Sequence, residues 1–204
     1  MFALVESGSI TKMMTGSKGI TIGDLQYPAS IFTLWSESDR NAIGIYIVEE
    51  DNTNRKDPHW YVNTELTYTF GSGKVTAAYG TATAKPMADT KWTQSEIDAG
   101  EAPTGADTNT VKSEGLKTIK KREIDSQCAN LLEPSDYMAI KAAEGISMDS
   151  GWKTWRASVR TKCNSMQTQI DNAANVDALV ALFDYTEQGD GSFTRPLGEF
   201  PIKE

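Results

Sequence analysis

The hydrophobic and polar positions of the chain follow two different periods. Up to about residue 82, short runs rich in β-branched and aromatic residues alternate with turn-forming residues, which is typical of β-strands. Ser7-Gly8 and Gly71-Ser72-Gly73 each separate two such runs, and glycine accepts the positive φ of a tight hairpin. The pattern predicts an antiparallel sheet.

One segment in this first part predicts a helix instead. In PASIFTLWSESDRNA, Pro28 precedes the apolar positions Ile31, Leu34 and Trp35, which recur at helical spacing, and Gly44 follows them. We expect one short helix that covers one face of the sheet.

After residue 112 the period becomes helical. A first helix ends at Pro134, and SDYMAIKAAEG predicts a second, short helix that begins at Ser135 or Asp136 and ends before Gly145. Asp149 or Ser150 is the predicted N-cap of a third helix, and Asn175 is the predicted N-cap of a fourth, VDALVALF. The apolar stripe of the third helix consists of Trp152, Trp155, Val159, Cys163, Met166 and Ile170.

These elements predict an α+β fold. Between its two regular parts the chain is rich in Pro, Gly, Ala, Asp and Thr, and its last part holds the turn Asp190-Gly191 and two prolines. We expect that last part to be an extended arm that packs on a domain or reaches a neighbour. The predicted divisions are an antiparallel β domain (1–84), a linker or surface excursion (85–112), a small helical bundle (113–184) and the arm (185–204).

Charge and composition exclude several classes of partner. The formal charge is −8, from 20 basic and 28 acidic residues, and this charge repels nucleic acid and anionic lipid. The basic run KTIKKR is flanked by acidic residues, which favours a solvated helix face. The start MFALVESGSITKMM has no basic region before a sustained apolar run, so we expect no signal peptide. No run of 18 apolar residues occurs, so we expect no membrane span. Cys128 and Cys163 fall on apolar stripes and are interpreted as reduced core thiols.

The sequence offers little for catalysis. The chain has a single histidine, His59, and no nucleophile elbow, Walker-type loop or dinucleotide fingerprint. FGSGKV lies between two predicted strands, and Glu49-Glu50-Asp51 is interpreted as a solvent-exposed strand end. We therefore expect a protein that is not an enzyme and binds no metal and no cofactor.

The stretch WKTWRASVR places two tryptophans and two arginines on one predicted helix. Trp152 and Trp155 are three residues apart, which favours packing in the core of the bundle. Arg156 and Arg160 are four residues apart on an adjoining strip, and we expect both to join the short second helix through Asp136.

The run LLEPSDYMAIKAAEGISMDSGWKTWRASVR resembles the phage tail assembly chaperone-like domain. The matching positions are Leu131-Leu132, Asp136-Tyr137, Trp155-Arg156 and Arg160. Tyr137 stands where that family usually has tryptophan. The opening MFALVESGSI, followed by a proline-centred segment and AIGIYIVEE, is similar to the start of many small phage tail and tail-fibre-associated proteins.

The resemblance implies a structural component of a phage tail, near the fibre or baseplate, that docks on other tail proteins. It also implies that several copies of the protein belong to one symmetric assembly. It implies a location in the virion tail, after assembly in the host cytoplasm. The candidate docking residues are Asp136, Tyr137, Trp155, Arg156 and Arg160.

Two alternatives remain open from the sequence. One is a tail or tail-fibre assembly chaperone that releases its partner and is not part of the virion. The other is a receptor-binding or carbohydrate-binding module, in which exposed strand aromatics stack on sugars; the candidates are Trp60, Tyr61 and Tyr68. Trp60 and Tyr61 point to opposite sides of a strand, so they cannot both belong to one platform.

Overall fold

The structure is a computed structural model that describes residues 1–203. It divides into two compact units, Met1–Thr83 and Ala84–Glu204. The first unit holds the sheet and the second holds the long helices, so the α+β class predicted from the sequence is confirmed.

The first unit is built on short strands. They are β1 Phe2–Glu6, β2 Ser9–Met14, β3 Ile20–Ile22, β4 Leu25–Tyr27, β5 Ile45–Asp51, β6 Tyr61–Val62, β7 Leu66–Gly71, β8 Lys74–Tyr79 and β9 Thr83–Ala84. Five of them form a sheet of order β2-β1-β5-β8-β7. β3 pairs with β4 in an antiparallel hairpin, and β6 pairs with β9.

One strand pair departs from the antiparallel prediction. β5 pairs with β8 in parallel, with Val48 opposite Val75, while the other pairs in the five-stranded sheet are antiparallel. The β7–β8 hairpin forms as expected, but its second strand is the one that lies beside β5. Since β7 and β8 run in opposite directions, this order makes the pair with β5 parallel and the sheet mixed.

Both faces of β1 are buried. Leu4 packs with Ile45, Ile31 and Phe32 on one side, while Ala3 and Val5 pack with Val75 on the other. The predicted single helix is in fact two, α1 Ile31–Leu34 and α2 Glu37–Ala42. They are separated because Ser36 accepts a hydrogen bond from Asp39 N and caps α2. Leu34, predicted to face the sheet, is 80% exposed.

In the second unit, α4 and α6 pack together along their length and α7 lies against α6. The elements are β10 Thr90–Lys91, α3 Gln94–Asp98, β11 Val111–Ser113, α4 Leu116–Leu132, a 3-10 turn Glu133–Ser135, α5 Asp136–Ala143, α6 Ser150–Asn172, α7 Val176–Phe183, β12 Thr186–Glu187 and β13 Phe193–Thr194. The predicted N-caps of α6 and α7 are confirmed: Asp149 accepts from Gly151 N and Trp152 N, and Asn175 accepts from Ala178 N.

The segment 85–112 belongs to the second unit and is an ordered excursion. Its strand β10 pairs with β11, and the carbonyls of Pro86 and Met87 accept from the first two backbone N–H groups of α4. Gly115, which precedes α4, offers no side-chain cap, so these carbonyls satisfy donors that the helix itself leaves free.

The arm 185–204 packs back on its own unit over the residues that the structure describes. β12 and β13 form a hairpin at the predicted Asp190-Gly191 turn. Leu197 is fully buried, and its backbone N–H donates to Leu182 O at 3.0 Å. Of the two alternatives for the arm, the described residues follow the first.

Candidate docking site on the helical unit

Arg156 forms the centre of the strongest polar cluster in the helical unit. The residue is only 5% exposed. Its Nη1 donates to Leu132 O at 2.8 Å and to Ser135 Oγ, and its Nη2 donates to Asp136 Oδ1 at 2.6 Å. A buried guanidinium is stable only when its donors are satisfied, so these acceptors fix the corner between α4 and α5 on α6.

The local sequence explains why these acceptors are available. Pro134 ends the α-helical hydrogen bonding of α4, and the last carbonyls of a helix have no partner within it. The Leu132 carbonyl is one of these groups, and it also accepts from Ser135 Oγ at 2.9 Å. Helix α5 therefore begins at a position set by α6 rather than by its own packing.

Helix α5 has no buried side chain. Tyr137 is 52% exposed, Ile140 63%, and Ile146, just beyond the helix, 58%. Gly145 has φ +95° and ends the helix as the sequence predicts. The short apolar helix α5 is thus held against α6 at its first turn, while its outer side faces solvent.

A cleft of about 390 Å³ runs between α5 and the first turns of α6. Ala139, Ala142 and Met148 form its apolar wall, and Lys153 and Arg160 add two cations. Arg160 makes no side-chain hydrogen bond or ion pair within residues 1–203. The expectation that Arg156 and Arg160 both join α5 through Asp136 is therefore correct only for Arg156, because Arg160 lies one turn further along α6.

Trp152 and Trp155 do not build the bundle core. Their rings meet edge to face, 5.5 Å apart, and both are half-buried. The last described residues cover them: Trp155 Nε1 donates to Pro201 O at 2.9 Å, and Lys203 Nζ lies 5.3 Å from the Trp152 ring centroid. The α6 residues that are buried in the core are Val159, Cys163, Met166 and Ile170.

Of the three strand aromatics that are candidates for a sugar platform, one is buried. Trp60 is 8% exposed, so its prediction as an exposed aromatic is wrong. Tyr61 is half-buried with Lys56 Nζ 5.7 Å from its ring centroid, and Tyr68 is 36% exposed. Trp60 is therefore not available to stack on a sugar, and Tyr61 and Tyr68 are the two candidates that keep exposed surface.

The remaining candidates for chemistry are dispersed. His59 is exposed beside Asp57, with 2.8 Å between Nδ1 and Oδ1. Cys128 and Cys163 are free buried thiols, and burial together with the neighbouring Cys128 raises the pKa of Cys163 to about 12. In residues 1–203, no cluster of three or more His, Cys, Asp or Glu side chains is able to hold a metal ion. No helix in the same range has the length and apolar character to cross a membrane.

Sequence reasoning found Asp136 and Arg156 but missed Ser135, Lys153 and the apolar wall of the cleft. A serine at the start of a helix gives no sign of a contact with a distant arginine, and alanines on a short helix carry no signal of their own. Comparison of the chain with protein-family models, curated proteins and solved structures gave no match.

Proposed function

We propose that the protein is a non-catalytic docking component of a bacteriophage tail, near the fibre or baseplate. In this role, several copies of the protein are present in each virion tail, after assembly in the host cytoplasm. The observation that carries the proposal is the outer side of α5, which is apolar and exposed. The buried Arg156 holds the first turn of this helix against α6.

Exposed apolar side chains next to one another mark sites of protein association more often than isolated ones do. Tyr137 and Ile140 are three residues apart, so they lie on adjoining parts of one helix surface. The contacts of Arg156 hold the helix in place before any partner arrives, which lowers the ordering cost of binding. This arrangement suits docking better than catalysis.

The residues that resemble the phage tail assembly chaperone-like domain support the tail assignment. Leu132 and Asp136 both accept hydrogen bonds from Arg156, and Tyr137 and Arg160 are exposed beside that cluster. The resemblance thus falls on residues that seat α5 and on residues free to contact a partner.

The test is quantitative mass spectrometry of purified virions and of the infected-cell lysate, for the phage that encodes the chain. A stoichiometric amount beside the major tail proteins is the expected result. Presence in the lysate alone, with tailless or fibreless particles after deletion of the gene, would instead identify an assembly chaperone. Absence from the virion and normal particles after deletion would overturn both.

A surface variant tests the docking helix itself. Ile140→Asp places a charge on the outer side of α5 and is expected to remove the chain from virions without unfolding it, since Ile140 is 63% exposed. Leu34→Asp is the matched control, because Leu34 is 80% exposed but lies in the first unit. Equal incorporation of both variants would rule out α5 as the docking surface.

A further inference from the structure

The cleft between α5 and α6 carries two cations that the described chain does not neutralise. Lys153 and Arg160 are exposed, and neither side chain forms a hydrogen bond or ion pair within residues 1–203. The basic run 117–122 is different: Lys121 pairs with Asp171 at 2.8 Å, and the neighbouring cations are held in similar contacts. The cleft is therefore a local basic feature of a chain with net charge −8.

The two cations lie on one strip of α6. They are seven residues apart, which is about two turns and about 10 Å along the helix axis. A carboxylate pair at the same spacing on a neighbouring helix would meet both cations. Two carboxylates seven residues apart on a helix of the partner are thus the simplest match to the two cations.

Lys153 occupies a position that the isolated helix disfavours. It is the fourth residue of α6, close to the positive end of the helix dipole, where cations are unfavourable and anions are stabilised. Asp149 Oδ1 is already engaged by Gly151 N and Trp152 N, and Asp136 is engaged by Arg156. Neither carboxylate forms an ion pair with Lys153 in residues 1–203, so the charge of Lys153 is available to an anion on a partner.

The rest of the cleft is suited to apolar side chains. Ala139, Ala142 and Met148 line it, and the small alanine side chains allow close approach of another helix. An apolar wall with a cationic rim fits an amphipathic helix whose apolar face is flanked by carboxylates. Two cations in an acidic chain are too few to hold a nucleic acid strand.

We propose that the cleft between α5 and α6 binds an acidic amphipathic helix of the neighbouring protein, with carboxylates seven residues apart on Lys153 and Arg160. The proposal rests on the docking function above and names the chemistry of the partner. It needs no rearrangement of the buried contacts of Arg156.

The test measures fluorescence anisotropy of labelled helical peptides, about 15 residues long, titrated with the full chain. The probes share one leucine face and carry either two Glu, two Gln or two Lys at the seven-residue spacing. The Glu peptide is expected to bind about 5- to 10-fold more tightly than the Gln peptide at low salt, with the difference shrinking as salt is added. The Lys peptide is expected to bind most weakly.

A charge swap makes the test specific to the cleft. Lys153→Glu with Arg160→Glu is expected to reverse the order, so that the Lys peptide binds most tightly, and both residues are exposed enough to leave the fold intact. Lys12→Glu with Lys18→Glu changes the net charge equally on exposed residues of the first unit and is expected to keep the original order. Circular dichroism checks that each variant is folded.

Equal binding of the Glu and Gln peptides, or an unchanged order in the cleft variant, overturns the proposal. So does a single-stranded oligonucleotide that displaces the Glu peptide at equal phosphate and carboxylate concentration, since the site would then recognise phosphate. Virion incorporation that is lost in Ile140→Asp but kept in the cleft variant would leave the docking function standing and remove only this inference.

Discussion

Arg156 Nη2 lies 2.6 Å from Asp136 Oδ1 and joins the first residue of α5 to the second turn of α6. The two partners are unequally exposed, with 6% of the arginine side chain and 56% of the aspartate side chain accessible. The arginine also donates to Leu132 O and Ser135 Oγ. The contact is thus one part of a buried donor cluster rather than a simple surface ion pair.

Replacement of this arginine is expected to destabilise the helical unit far more than replacement of the aspartate. Arg156→Lys keeps the charge but cannot reach three acceptors, and it is expected to lower the free energy of unfolding by about 2–4 kcal/mol. Asp136→Asn is expected to cost less than about 1 kcal/mol, because the carboxylate is largely exposed. Urea unfolding followed by the helical circular dichroism signal measures both.

Arg160→Lys is the control for this pair of variants. Arg160 is on the same helix and exposed, so its replacement is expected to change the unfolding free energy by less than about 0.5 kcal/mol. A loss in Asp136→Asn equal to that in Arg156→Lys would show that the carboxylate, not the whole cluster, seats α5.

Trp155→Phe is expected to loosen the last described residues of the chain. The change removes the donor to Pro201 O while keeping an aromatic ring beside Trp152. Loss of one hydrogen bond of about 1 kcal/mol corresponds to an approximately 5-fold rise in the fraction of molecules in which the residues near Pro201 are detached from Trp155. Carboxypeptidase digestion followed by mass spectrometry measures the rate at which the end of the chain is removed.

Trp92→Phe controls for the loss of an indole elsewhere in the same unit, where Lys112 Nζ lies 4.7 Å from the Trp92 ring centroid. It is expected to leave the digestion rate unchanged. Equal acceleration in both variants would mean that the Pro201 contact does not hold the end of the chain.

Thr93 and Glu96 form a capping box at the start of α3, and Glu96 is expected to titrate far below the ordinary range of a glutamate. The contact with Lys112, followed by hydrogen bonds from Thr93, lowers the pKa of Glu96 from 4.5 to about 2. Since the folded pKa is depressed, the stabilising contribution is complete above pH 4.5 and is lost as the pH falls towards 2. The amide of Thr93, which donates to Glu96 Oε2 at 2.9 Å, reports this titration in an NMR pH series.

Lys112→Gln removes the largest cause of that shift and is expected to move the midpoint up towards 4.5. Asp107, whose pKa is lowered chiefly by a hydrogen bond from Thr110, is the internal control and is expected to titrate unchanged. An unaltered Thr93 midpoint in the variant would contradict the role of Lys112.

Two glycines with similar backbone angles are expected to respond differently to alanine. Gly44 has φ +81° and Gly73 has φ +75°. A Cβ on Gly44 would lie 2.5 Å from Val5 O, whereas one on Gly73 would meet nothing within 4 Å. Gly73→Ala is expected to cost about 1–2 kcal/mol from the left-handed backbone alone. Gly44→Ala is expected to cost about 1–3 kcal/mol more, because the Val5 backbone must move.

Thermal or urea unfolding of the two variants side by side measures this difference. The difference between the two losses gives the free-energy cost of the clash with Val5 O, since both positions share the cost of the left-handed backbone. Equal losses would show that the strand around Val5 accommodates the methyl group without strain.

The local features of the fold could be predicted because each depends on residues close in sequence. Asp149 and Asn175 cap their helices through neighbouring N–H groups, and Ser7-Gly8 forms its turn from two residues. Local spacing was misleading for Leu34: it is the last residue of the short helix α1, Ser36 caps a separate helix two residues later, and the Leu34 side chain is exposed.

The candidate site shows where such reasoning stops. Helical spacing placed Arg156 and Arg160 on one strip, but it could not tell which of them reaches Asp136, since that depends on how α6 is rotated against the corner at Pro134. Trp60 likewise lies in the turn before β6 rather than in a strand, and its burial depends on what packs over that turn.

The sequence by itself determined the α+β division, the helix caps, the hairpin turns and the acidic balance of the chain, because periodicity, capping and charge act over a few residues. Only the tertiary structure decided that β8 rather than β7 lies beside β5, that Arg156 is buried and Arg160 free, and that the chain near Pro201 covers Trp155. Each of these joins residues far apart in sequence, and their choice of partner follows from the packing of whole elements, which no local pattern specifies.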